Sequence, residues 1–441
     1  MKNLPAISRY QVFKNRKRIL KNPLPFHHEN FKKFGNIFRV KIGLRKSIVF
    51  TRDPKLIKHI LQGRQRKYQK SPLQTVDLAK YIGPGLLTSN GEHWRIHRRM
   101  VQPAFHKKKL LGLLGIMRNA IRNELKRIKP NVTKDVFPLM GDLAFQVVAQ
   151  SLFSRSDIQE DMAKLQEITQ TNQKMLIREM RQPYLKWWFN LSGLMKKHLE
   201  LSEVGRNVLN KIIEERIQSG AEKDDLLDML LKARYEDGTP MPRRQLIDEL
   251  LILFTAGHET TANALSFTLF LLAKNQMAQQ KVFEEVTRLD FESDDIMEHI
   301  SQLIYTKQCI EESMRLYPPV YIIDRISIED DTIEGLEIPK NTLLLMSIYE
   351  LHRYPGFWES PSAYKPERFN EENKKELQEY YYPFGAGPRM CVGNNFAMYE
   401  MVLTVAEVIK KYNVQTKLNE VEINPLISLK PKEVPLLFVE R

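Results

Sequence analysis

Apolar residues recur every three or four positions through most of the segment from Gly91 to Tyr317, the pattern of helices that bury one face. Leu139–Phe153 and Val204–Ile217 are clear cases. The period changes on either side. Ile37–Ile42 and Ser47–Phe50 are short β-type runs, followed by a helix-like Asp53–Leu61. Beyond Pro318 and Pro319, Ile326–Ile338 and Leu343–Ile348 read as short strands among turns. Asn394–Lys411 reads as one more long helix before a β-like tail. No Gly/Ser linker, low-complexity tract or internal repeat divides the chain. The pattern therefore predicts one domain over 1–441, with β-rich parts near 35–52 and 320–441 around a helical part at 91–317. The fold class is mainly α with small β-sheets (α+β).

The most apolar stretch, Leu250–Ala273, is long enough to span a bilayer. It also holds Thr255, His258, Glu259, Thr260, Thr261, Asn263, Ser266 and Thr268. An ionised carboxylate at the middle of a membrane costs several kcal/mol, so a long helix through the centre of a globular protein fits better. Polar groups at the midpoint of a buried helix need partners or water, which makes this stretch a candidate site.

Composition narrows the class. Of 441 residues, 42% are apolar and 27% charged, as in an ordinary folded soluble protein. Two cysteines, Cys309 and Cys391, cannot build a disulfide framework and suit a reducing compartment. The net charge of +15 points to an acidic partner or surface. Acids and bases are nevertheless interspersed, with dense basic runs only at Lys14–Arg18 and His106–Lys109, which argues against nucleic acid. Met1–Phe50 has no apolar run suited to a signal peptide or membrane anchor. A soluble, cytoplasmic monomer is expected.

The strongest local signal is Phe384-Gly385-Ala386-Gly387-Pro388-Arg389-Met390-Cys391-Val392-Gly393. Two glycines and a proline make a tight loop, and Cys391 stands where the next helix starts. The N–H groups of a helix start stabilise a thiolate, and a thiolate ligates soft or borderline metals. With no second cysteine nearby, zinc and iron–sulfur clusters fit poorly, whereas a single axial thiolate suits haem. A buried structural cysteine is the plain alternative.

Phe-x-x-Gly-x-Arg-x-Cys-x-Gly resembles the haem-ligand signature of the cytochrome P450 family. Glu312-Ser313-Met314-Arg315 resembles its Glu-x-x-Arg pair, and Pro366-Glu367-Arg368-Phe369 the motif that partners it. Ala256-Gly257-His258-Glu259-Thr260-Thr261 resembles its oxygen-activation stretch, and Trp94-Arg95-Ile96-His97-Arg98 its Trp-x-x-x-Arg. These motifs fall in the family's order and span most of the chain. The resemblance implies the P450 fold, with a long central helix over haem b, and a soluble, bacterial-type member without a fused reductase. It implies a monooxygenase that inserts one atom of O2 into a small molecule. Cys391 is then the axial iron ligand. Trp94, Arg98, Arg325 and Arg389 reach the haem propionates, while Phe384 and Gly393 shape the cysteine loop. Glu259 and Thr260 are the catalytic acid–alcohol pair that delivers protons. Glu312, Arg315 and Arg368 form a buried structural triad.

No nicotinamide, flavin or iron–sulfur motif is visible, so electrons are expected from a separate ferredoxin or flavodoxin and its NAD(P)H reductase. Arg95, Arg99, Lys107, Lys108 and Lys109 are the expected face for that acidic partner. Ile82–Trp94 resembles the branch that includes fatty-acid hydroxylases, and a hydrophobic substrate is the leading expectation. O-demethylation of a methoxylated molecule, such as a methyl sugar, would use the same machinery. A haem protein for electron transfer or sensing is the reading from another class. Outside the family pattern, His93 and His97 lack the glutamate of a metalloprotease motif and are expected on a polar helix surface. His258 is expected to pack or hydrogen-bond within the central helix. Trp187-Trp188-Phe189 is a lid, a surface-seeking element or ordinary packing.

Overall fold

The computed structural model describes residues 4–42, 46–155, 158–290 and 295–441. The apolar stretch forms one helix, Arg243–Lys274, longer at its start than the hydrophobic run alone indicates. Helices Val136–Phe153, Leu194–Ser219, Ile304–Leu316 and Asn394–Lys411 pack against it. Residues 246–252 and 261–273 are buried all round, as expected for a helix without a polar face there. Three of its buried hydroxyls are satisfied inside the helix, whereas Thr255 Oγ1 has no partner among the described residues. Thr261, Ser266 and Thr268 donate to the carbonyls four residues back at 3.0, 2.7 and 2.7 Å.

Helix Val136–Phe153 is capped by Asp135, whose carboxylate accepts from the N–H groups of Phe137 and Val434. It crosses the central helix where Gly257 lacks a side chain: a Cβ there would stand 3.1 Å from Val148. Phe145 meets Phe254 edge to face beside this crossing, ring centres 5.3 Å apart. Among the described residues this helix alone is long and apolar enough to cross a membrane, and 67% of it is buried inside the fold.

The β-rich regions form small sheets at one side. The largest runs in the order Ala6–Ile7, Ile37–Ile42, Lys46–Thr51, Leu343–Ser347, Ile322–Ser327, Tyr68–Gln69. Alternation sets its register: Phe38 pairs with Phe50, and both are buried. Val49 and Arg325 lie on either side of Leu344. The pairing of Tyr68–Gln69 with Ile326–Ser327 brings the chain around residue 70 beside Arg325. A three-stranded sheet joins Tyr412–Gln415, Pro435–Glu440 and Thr133–Asp135. The hairpin Ile423–Pro425/Leu429–Pro431 lies against the central helix. Asp53–Leu61 is helical only to Lys58 and then widens into a π-turn, His59–Gly63.

Phe254 is fully buried at the crossing of two helices. Phe254→Ala is expected to destabilise the protein by ~3–5 kcal/mol, read as a lower midpoint of urea unfolding.

Candidate active site

Cys391 leaves a loop that several elements hold. Its own N–H donates to Phe384 O at 2.9 Å, and Met390 N–H to Gly387 O at 3.0 Å. Arg98 Nη1 donates to Met390 O at 2.8 Å, and Arg389 Nη1 to Tyr68 O at 2.9 Å. Gly387 has φ +69°, and a Cβ on it would stand 2.0 Å from Leu61 O, so no other residue fits there. Protein surrounds the thiol, which pushes its pKa up. The Gly393 N–H and the Arg98 guanidinium act the other way. Yet the side chain is open, so it faces an internal cavity. Cys309, by contrast, is sealed in the core, and burial raises its thiol pKa strongly.

A group of cations gathers beside this loop. Trp94 is buried, with the Arg389 guanidinium 5.1 Å from its ring centre. Arg325 is also buried rather than on an exposed strand. Burial and the neighbouring Arg389 bring its pKa down to about 10. Lys70, which the sequence patterns did not single out, belongs to the same group. Its Nζ donates to Leu86 O at 2.7 Å, and burial with Arg325 and Arg389 depresses its pKa well below that of an ordinary lysine. Arg389 Nε is buried without a hydrogen-bond partner. Such a cluster calls for an anion. Lys70 had no periodic or motif signal; strand pairing alone puts it beside Arg325.

The central helix opens in its middle. Ala256 is exposed and Thr255, Glu259 and Thr260 are half-buried, between turns that are buried all round. Thr260 Oγ1 donates to Ala256 O at 2.9 Å. The Glu259 carboxylate accepts from Ser428 Oγ and lies 3.0 Å from Lys430 Nζ. Burial alone would raise its pKa; Lys430, with Ser428 and Gln173 donating, brings it below the usual glutamate value. His258 is buried and donates from Nδ1 to Phe254 O at 2.8 Å, as expected.

Glu312, Arg315 and Arg368 come together. Arg315 Nε and Nη2 donate to Glu312 at 2.6 and 2.8 Å, and neither side chain has exposed surface. Lys365 N–H adds a bond to Glu312 at 2.9 Å. Arg368 Nε stands further off, at 3.4 Å, while its Nη2 donates to Glu359 O and Ser360 O.

Other expectations are redrawn. His97 does not lie on a polar surface. It is buried, 3.2 Å from the Glu249 carboxylate, with the His93 ring tilted against it, ring centres 4.3 Å apart. No group of metal-binding side chains forms among the described residues. Arg95 and Arg99 are exposed but ion-paired with Glu92 and Glu236. Lys107, Lys108 and Lys109 are exposed in the short helix Lys107–Leu111. They follow Phe105, which packs edge to face on Phe396 of the helix that starts after Cys391. Phe189 is buried, while Trp187 and Trp188 are exposed.

The residues present fit a haem. The cavity-facing thiol sits where a metal ion would ionise it, the cations without an ion pair suit two carboxylates, and the central helix is open in its middle. The site thus has the make-up of a haem-dependent oxygenase. The comparisons agree: residues 5–438 match the cytochrome P450 family, and the chain belongs to it as a monooxygenase using haem b and O2. Cytochrome P450 132 of Mycobacterium tuberculosis is 30% identical over 421 residues, covering 90% of this chain and 88% of its own. The cyclooctat-9-en-7-ol 5-monooxygenase of Streptomyces melanosporofaciens is 28% identical over 392 residues, covering 86% and 83%. The haem domain of cytochrome P450DA shares the fold, with TM-score 0.85 over 99% of this chain and 97% of that one at 21% identity.

Removing the Glu312 charge leaves Arg315 sealed without a counter-ion. Glu312→Gln is expected to cost ~3–5 kcal/mol and to yield haem-poor, poorly soluble protein. Soluble yield and haem content per chain check this.

Proposed function

We propose that this chain is a one-domain cytoplasmic enzyme that oxygenates a hydrophobic, fatty-acid-like small molecule, with Cys391 as the iron ligand and electrons from a separate ferredoxin or flavodoxin. The observation that carries the reading is the open thiol of Cys391, enclosed by protein, beside the buried cations Lys70, Arg325 and Arg389, which form no ion pair among the described residues. When bound, haem iron with O2 supplies the oxidising chemistry. Cys391 holds the group from the loop shaped by Phe384 and Gly393. Trp94, Arg98, Arg325, Arg389 and Lys70 orient its carboxylates by charge and hydrogen bonding.

On the central helix, Thr260 and Glu259 handle protons. The Thr260 hydroxyl donates to its own helix and keeps lone pairs to accept from a water in the opened turn. Glu259 is held ionised by Lys430 and keeps a little open surface, so it can take up a proton and return it through that water. Supporting an apolar substrate, segments tied to one another carry Leu78, Leu86, Ile252, Val320 and Ile427. They close together through Tyr81–Glu179, Leu86–Glu249, Ser71–Asp324 and Asn263–Ser428 contacts.

Two tests address these roles. Cys391→Ala should lose the red-shifted carbon monoxide spectrum of a thiolate ligand, and an unchanged spectrum would exclude the assignment. Thr260→Ala should bind haem and substrate normally while product per electron falls by ~10-fold or more, in the range for lost proton-transfer groups, with hydrogen peroxide formed instead.

The reading of the partner face rests on charge. Because Arg95 and Arg99 are paired, the lysines carry the exposed positive charge of this face. Reversing Lys107–Lys109 to glutamate should slow the first electron transfer by ~10-fold or more at low ionic strength, with substrate affinity unchanged. Stopped-flow reduction across a salt series measures both the loss and its screening.

A further inference from the structure

The carboxylate of Glu259 is not simply exposed to the cavity. It is held by the hairpin Ile423–Pro425/Leu429–Pro431, a part of the chain far away in sequence. Lys430 Nζ lies 3.0 Å from it, and both side chains are largely shielded, 18% and 11% exposed. Ser428 is buried and does two things at once: its hydroxyl donates to Glu259 and accepts from Asn263 Nδ2 at 2.9 Å. Asn263 lies one helical turn beyond Glu259, so the hairpin grips the central helix at two successive turns. Gln173, from helix Gln159–Arg181, donates a further bond to the carboxylate. The charged and titratable groups facing Glu259 are Lys430 from the hairpin and His258 from its own helix; Ser428 and Gln173 are neutral donors.

We infer that Lys430 is a positioning residue for proton delivery: its ion pair sets where the Glu259 carboxylate points and the pH at which it takes up a proton. The inference rests on the reading of Glu259 as a proton carrier. Its physical basis is simple. A shielded carboxylate left alone is driven towards its neutral form, and an adjacent ammonium reverses that. With Lys430 in place Glu259 stays ionised and is drawn towards the hairpin. Without it the same carboxylate protonates at higher pH and is held only by neutral donors. Sequence patterns could not reveal this, because Lys430 is one lysine in a β-like tail and its partner lies in a helix far upstream.

The test uses haem-loaded Lys430→Met, Lys430→Gln and Lys430→Arg, with Glu259→Gln as reference. The protonation midpoint of Glu259 is followed in protein labelled with 13C at glutamate carboxyls, as the infrared carbonyl band that Glu259→Gln lacks. Product per electron is measured over the same pH range. Loss of the neighbouring charge should raise the midpoint by about one to three pH units in the methionine and glutamine variants. The pH profile of product per electron should move with it, substrate affinity should stay constant, and Lys430→Arg should restore both. Two neutral replacements guard against one that fails to fold, and haem content reports folding. A midpoint equal to that of the wild type in folded Lys430→Met or Lys430→Gln overturns the inference and leaves the role of Glu259 standing. If the midpoint moves while product per electron is unaffected both there and in Glu259→Gln, Glu259 carries no proton, and the inference falls with that reading.

Discussion

The structure hangs on one guanidinium sealed from water. Arg315 has no exposed surface, and an ion buried without partners costs several kcal/mol. All five of its N–H groups are used: two on Glu312, one each on His352 O, Pro361 O and Ala363 O. Trp358 covers it, 5.0 Å from ring centre to guanidinium. These bonds leave the segment from His352 to Ala363 little freedom. His352 passes the constraint on. Burial and Arg315 depress its pKa to about 3, so it stays neutral, and its Nε2 accepts from Tyr382 N–H at 2.9 Å. Tyr382 stands two residues before the cysteine loop begins at Phe384. The position of the thiol is therefore set by a charge in another part of the core.

A second constraint is electrostatic and opposite in sense. Lys70, Arg325 and Arg389 are already assembled: burial disfavours the charge on all three, Arg325 and Arg389 add to this at Lys70, and Arg389 adds to it at Arg325. Keeping them together costs stability until an anionic group arrives. The protein is thus built for its cofactor rather than merely able to accept it, and folding and cofactor binding are coupled.

Much of this was legible in the chain because motifs carry chemistry at fixed spacing. The Cys391 loop, Glu312 with Arg315, and Trp94 with Arg98 are each local, and local geometry follows from a few residues. The long helices were legible from their period, Asn394–Lys411 to the residue. What the chain concealed depends on contacts between distant segments. Lys70 acquires its neighbours only through the pairing of Tyr68–Gln69 with Ile326–Ser327. His97 looked like surface because its helix is short and mostly polar; its burial comes from Glu249 on the central helix. The ion pair of Arg99 was hidden for the same reason: its partner Glu236 lies far along the chain.

The unequal fate of the two cysteines has a practical side. Cys309 is closed to any reagent while the fold holds, and Cys391 is open only from the cavity. Thiol chemistry on the folded protein is therefore confined to one position, the one that a bound cofactor would cover. A mild alkylating probe would count vacant sites directly, so the chain carries an internal gauge of its own occupancy, and exposure to oxidants before loading would strike the position it can least spare.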